Sequence, residues 1–216
     1  MRVPVIGVTG PIASGKTTVA KILAAAGGAL VDCDALGARA LEEPEVRKLI
    51  VAAFGAGVLG AGGAVSRRKL ARIVFAGDRN LERLNRIVRA PLKRIITDEV
   101  AKRRAHAPYI VLDAVLLFQY NFRFKVDYAV VTKASRAKRL ARIMRRDGVS
   151  RSEALARIER QRKLESGWAK ADVSIATDGS LARVRSEAGR IRDRFLARPK
   201  TAERKARCRR SSRTGR

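Results

Sequence analysis

The chain has 216 residues, enough for one globular domain with a real core, and its 46% apolar content argues against disorder throughout. With 48 Lys and Arg against 20 Asp and Glu the formal charge is +28, which favours polyanionic ligands without separating ATP from RNA. Cys33 and Cys208 are too few for a disulfide framework, no Cys/His cluster has zinc spacing, and neither a signal peptide nor a membrane span is legible, so a reducing cytoplasm is the expected setting.

In chain order, the apolar run 3–8 reads as a strand and residues 19–24 as a helix. Between them, Gly10-Pro11-Ile12-Ala13-Ser14-Gly15-Lys16-Thr17-Thr18 fits the phosphate-binding pattern of two glycines five apart followed by Lys and a hydroxyl residue. A strand-to-helix turn is where such a loop works, because glycines let successive backbone N–H groups face one concavity at the positive end of the helix. Gly10, Ala13, Ser14, Gly15 and Thr18 are therefore expected around a nucleotide's phosphates. Lys16 would reach the β- and γ-phosphates, and Thr17 would place its hydroxyl on the Mg²⁺ that accompanies ATP.

Residues 29–34 read as a second strand ending in Asp32 and Asp34, whose side chains would share a face at that spacing. In a parallel sheet the carboxyl ends of strands face the ligand crevice, so these carboxylates would point toward the phosphates, and one could take a proton from a substrate hydroxyl. The same acidic end would also suit the cap of a helix starting near Ala35. Residues 55–64 hold five of the 17 glycines and read as a surface loop or hairpin acting as a flexible connector. Helical spacing follows over 66–75 and 80–88 with arginines between the apolar positions, and then from Pro91, which suits a first turn, to Ala105.

Residues 109–113 form an apolar strand closing on Asp113, the position of a second-loop metal residue in phosphate-loop enzymes, and 127–132 form another strand. Strands alternating with helices predict a parallel α/β sheet. His106, the only histidine, reads as a surface residue. From 135 to 170 the chain is helical and basic, broken at Asp147-Gly148, with Arg139, Arg142 and Arg146 on one face. Two arginine-bearing helices hinged at a glycine suggest a lid that closes over ATP.

Taken together, the loop 10–18, Val31-Asp32-Cys33-Asp34, the stretch 67–75, Leu116-Leu117-Phe118, Arg145-Arg146-Asp147-Gly148, Ile158-Glu159-Arg160-Gln161 and residues 171–180 resemble the dephospho-CoA kinase family over most of 3–181. The resemblance implies a three-layer α/β phosphate-loop kinase fold with a helical substrate-binding region near 60–105 and a helical lid near 135–170, in a domain spanning 1–197. It implies ATP-dependent phosphorylation of the ribose 3′-hydroxyl of dephospho-CoA, with Asp34 and Lys16 as catalytic residues. It also implies that Arg142 meets ATP, that Asp32, Asp34, Arg67 and Leu117 contact the acceptor, and that Thr17 and Asp113 hold Mg²⁺. The chain departs from the family's usual residues at Pro11, Ala13, Arg89, Ala90, Val115, Gln119 and Thr177; the family usually has Gly at the first two.

Residues 198–216 carry nine Lys or Arg and one acid, with almost nothing that could enter a core, and are expected to be a disordered tail capable of nonspecific nucleic-acid contact. Two other function classes fit the same residues. One is a different phosphate-loop nucleoside or metabolite kinase; the other is an RNA-associated phosphate-loop protein.

Overall fold

The computed structural model describes residues 2–74, 77–119, 122, 124–162 and 165–197. The basic tail beyond 197 lies outside these residues, as does Phe75 at the end of the first expected basic helix. In chain order the elements are β1 (Val5–Thr9), α1 (Lys16–Ala24), β2 (Ala29–Asp32), α2 (Cys33–Glu42), α3 (Pro44–Phe54), α4 (Arg67–Val74) and α5 (Asp78–Arg104). Then follow β3 (Ile110–Asp113), β4 (Tyr128–Lys133), α6 (Arg136–Asp147), α7 (Arg151–Arg160), α8 (Glu165–Trp168), β5 (Val173–Ala176) and α9 (Leu181–Leu196).

Among the described residues the five strands form one sheet in the order β2-β3-β1-β4-β5, and every neighbouring pair is parallel. Residues of β1, β3 and β4 are buried on both faces, which is why their sequences read as continuous apolar runs. The two-residue period still sorts them: Ile6, Val8 and Val130 pack with Leu23 of α1 and Val184, Ile191 and Phe195 of α9 on one face. On the other face, Val5, Ile110, Leu112 and Ala129 pack with Leu36 of α2 and Ile96 and Val100 of α5. The expected α/β parallel sheet between helical layers is what the chain forms, and it gathers the carboxyl ends of β1, β2, β3 and β4 along one rim.

Two smaller cores stand beside the sheet. Val46, Ile50, Val58, Leu70 and Val74 join α3, α4 and the first half of α5. Leu140, Ile143, Ala154 and Ile158 join α6 to α7, with Ile12 and Ala13 of the phosphate loop packed against them. The turn between α6 and α7 begins at Gly148, whose left-handed backbone ends α6 as expected.

Three expectations change. The strand over 29–34 stops at Asp32, because the Asp32 carboxylate caps a helix that already includes Cys33 and Asp34. Asp34 therefore stands on the first turn of α2 and not on a strand face shared with Asp32. Next, the helices expected over 80–88 and from Pro91 are a single 27-residue helix with Pro91 inside it. An interior proline costs about 3 kcal/mol through a lost hydrogen bond and a clash with the preceding turn. Tertiary packing overrides that cost, since Leu84, Ile87 and Val88 are held in one core and Leu92, Ile95 and Ile96 in another. Finally, the glycine-rich stretch 55–64 is a connector, but an ordered one: two 3-10 turns, an antiparallel bridge between Leu59 and Val65, and a fully buried Val58.

No helix among the described residues is long and apolar enough to cross a membrane.

Candidate nucleotide and phosphoryl-transfer site

The phosphate loop leaves β1 at Gly10 and enters α1 at Lys16. Gly10 has φ +140°, and a Cβ there would stand 2.5 Å from Thr132 Oγ1 and 2.6 Å from the Thr132 carbonyl oxygen. Gly15, at φ +83°, is the N-cap of α1 and turns the loop into the helix. Both glycines are thus required by backbone geometry, and at Gly10 also by space. Gly10→Ala is expected to destabilise the protein by about 2–4 kcal/mol through combined backbone strain and overpacking, a loss that urea unfolding measures directly.

Ala13 also lies in the left-handed region, at φ +60°, where its Cβ carries a cost of roughly 1–2 kcal/mol. The loop is held in this shape from behind. Ser14 Oγ lies 2.7 Å from the Pro11 carbonyl oxygen and 2.6 Å from Thr132 Oγ1. Thr177 Oγ1, just past β5, donates to the Ser14 carbonyl at 2.8 Å. Arg142 of α6 donates from Nη1 to the Ala13 carbonyl at 3.1 Å and from Nη2 to the Thr177 carbonyl at 2.6 Å.

Lys16 and Thr17 begin α1, where the helix dipole is positive. Lys16 Nζ approaches the Pro11 carbonyl at 3.4 Å, and burial pulls its ammonium below the ordinary lysine range, while Asp113 and Asp34 oppose that shift. Thr17 Oγ1 donates to Asp113 Oδ2 at 2.7 Å. Asp113 is the last residue of β3, 6% exposed; burial raises its pKa, and the Thr17 hydroxyl and the Lys16 charge work against the rise. The pairing of β3 with β2 sets Asp113 opposite Asp32.

Asp32 and Asp34 take different places. Asp32 Oδ1 accepts the backbone N–H groups of Asp34 and Ala35 at 2.9 and 3.0 Å, so the helix-cap alternative holds for this residue. Asp34 is exposed on the first turn of α2, near enough to Lys16, Asp113 and Arg146 to perturb their ionisation. Between the two, the Cys33 thiol is pushed far up by burial and then by the three carboxylates, which makes it inert at neutral pH.

A cavity of about 620 Å³ opens over the loop, walled by Ala13, Gly15, Lys16, Thr17 and Thr18 on one side and by Arg142, Arg145, Arg146, Thr177 and Leu181 on the other. It is large enough for a nucleotide and is lined by cations where phosphates would lie. Arg146 is paired with Asp147, which Arg157 of α7 also engages at 2.6 Å, so the arginine wall is braced across the two helices.

Of the expected site residues, the structure brings together Gly10, Ala13, Ser14, Gly15, Lys16, Thr17, Thr18, Asp34, Asp113 and Arg142. Arg67 stands exposed at the start of α4 and is not among the residues lining this cavity. Leu117 is 4% exposed and belongs to the core beneath the sheet, where a Cβ on Gly7 would come within 2.6 Å of it. Its buried side chain packs against Gly7 of β1. Thr132 and Gln161 escaped the sequence reading as site residues. A threonine at the end of an apolar strand carries no signal of its own, and Gln161 was visible only as part of a family motif.

The sequence profile of the dephospho-CoA kinase family matches residues 4–183. Relatives named dephospho-CoA kinase include that of Geobacter sulfurreducens, 36% identical over 178 residues, covering 82% of this chain and 90% of the relative. That of Bacillus licheniformis is 37% identical over 180 residues, covering 82% and 89%. Among solved structures, TT1252 from Thermus thermophilus superposes with a TM-score of 0.75 at 31% identity, over 92% of this chain and 100% of that one. A phosphate loop, a strand-end aspartate bonded to its threonine and an arginine-lined cavity thus sit within a match that spans nearly all of the described residues, and the chain belongs to the dephospho-CoA kinase family.

Proposed function

We propose that the protein transfers the γ-phosphoryl group of ATP to the ribose 3′-hydroxyl of dephospho-CoA, in the last step of coenzyme A synthesis. The observation that carries this reading is the convergence of Lys16, the Thr17–Asp113 pair and Asp34 on one rim of the sheet, beside a cation-lined cavity of nucleotide size. In this reading α6 and α7 form the lid over ATP, the α4–α5 region carries acceptor contacts including Arg67, and the reaction takes place in the cytoplasm.

The loop's backbone N–H groups receive phosphate oxygens, and the Lys16 ammonium adds a full charge where negative charge accumulates in transfer. Arg142, Arg145 and Arg146 line the nucleotide side and keep water from the reacting phosphoryl group. Asp34 orients the acceptor hydroxyl and takes its proton. Thr17 and Asp113 suit Mg²⁺: both offer hard oxygen donors, and burial raises the free energy of the Asp113 carboxylate in a way that a cation would relieve. Held by Thr17 and Asp113, such an ion would supply positive charge to offset that of the phosphates. Among the described residues no cluster of three or more acidic, Cys or His side chains forms a metal cage.

The test is incubation of purified protein with Mg·ATP and dephospho-CoA, following CoA by mass spectrometry. CoA formed in an ATP-dependent manner is the expected result. A folded, ATP-binding protein that makes none would overturn the acceptor assignment and direct a panel of other metabolite hydroxyls to the same site.

A further inference from the structure

We propose that Gln161 is a positioning residue for nucleotide binding: with Arg139 and Arg142 it latches the phosphate loop to the α6–α7 pair and so imposes the left-handed turn at Ala13. The inference rests on the nucleotide reading of the loop and requires nothing of the acceptor.

Both backbone groups of Ile12 are held by the helix pair. Its N–H donates to Gln161 Oε1 at 2.5 Å, and its carbonyl accepts from Arg139 Nε at 3.0 Å. The next carbonyl, that of Ala13, accepts from Arg142 Nη1 at 3.1 Å. The φ angle of Ala13 is the torsion from the Ile12 carbonyl carbon to the Ala13 carbonyl carbon, so Arg139 and Arg142 pin its two ends. Gln161 fixes the peptide just before it. Gln161 is itself held by the last turn of α7, where its N–H donates to the Ile158 carbonyl at 3.2 Å. Ile12 and Ala13 pack against the apolar centre of the same helix pair.

A glycine at position 13 would adopt φ +60° unaided, whereas alanine needs its surroundings to enforce it. The phosphate-binding shape of this loop is therefore completed by α6 and α7, and the same contact directs the Ile12 N–H toward Gln161. Loosening the latch lets Ala13 relax to negative φ and turns neighbouring N–H groups away from the phosphates.

The test measures Mg·ATP dissociation constants by calorimetry, without acceptor, on the full chain. Gln161→Met keeps the side chain's bulk and removes the acceptor oxygen, and it is expected to weaken ATP binding about five- to tenfold with the melting temperature preserved. Repeating the substitution in an Ala13→Gly parent is expected to shrink the loss below about twofold, because glycine no longer needs enforcing. Unchanged ATP binding in Gln161→Met overturns the proposal. So does an undiminished loss in the glycine parent, which would mean that Gln161 acts only through packing of the helix pair. Gln161→Asn, which draws the amide back by one methylene, gives the same two outcomes if the methionine variant fails to fold. Failure to make CoA with ATP binding intact would bear on the acceptor assignment alone.

Discussion

Lys16→Met is expected to lower kcat/KM for CoA formation on the order of 10³-fold, the scale of losing one preorganised charge-stabilising group in a transfer site. The methionine retains the stem that packs at the start of α1 while deleting the ammonium, so the protein should fold. The apo protein bears the cost of burying that ammonium: Lys16 binds its proton less tightly folded than unfolded. Between its lowered folded pKa and the ordinary lysine value, the unfolded chain holds more protons, so this group makes stability rise with pH through that window. ATP reverses the balance by placing phosphates against the charge. Wild-type protein should therefore gain thermal stability with ATP by mass action, and Lys16→Met should lose most of that gain. Steady-state kinetics and thermal melts with and without Mg·ATP check both halves; a variant that keeps wild-type turnover would remove Lys16 from the mechanism.

How far the chain's own residues reveal this site depends on whether a role is local. The phosphate loop is local: glycine spacing, a preceding apolar strand and a following helix all lie within residues 3–24, and the structure forms them as read. Asp113 was also legible, since a parallel strand closing on a carboxylate has one place to put it. The Asp32–Asp34 pair was not, because a strand period and a helix cap make different demands on the same three residues, and only the Asp32 hydrogen bonds decide between them. The length of α5 was hidden for a similar reason: Pro91 is a local stop signal, and two separate cores override it. Least legible were contacts made across more than a hundred residues, such as Gln161 on Ile12 and Thr132 on Ser14, for which no spacing rule exists. Leu117 shows how a residue inside a recognised motif can also serve packing: it is buried and fills the space over Gly7.

Asp34→Asn is expected to reduce kcat by about 10²–10⁴-fold, the range for loss of a general base, with little change in the KM for ATP. The geometry supports a clean substitution. Asp34 is exposed on the first turn of α2, and the capping that starts this helix comes from the side chain of Asp32 and the backbone N–H of residue 34, which asparagine keeps. Asp32→Ala should behave differently: losing an N-cap costs about 1 kcal/mol of stability, and activity should fall only as far as the displaced helix start misplaces Asp34. The comparison separates chemistry from architecture in two neighbouring carboxylates. If Asp34→Asn turns over at the wild-type rate while Asp32→Ala does not, the proton acceptor is not Asp34, and the carboxylate at the end of β2 takes its place as the candidate.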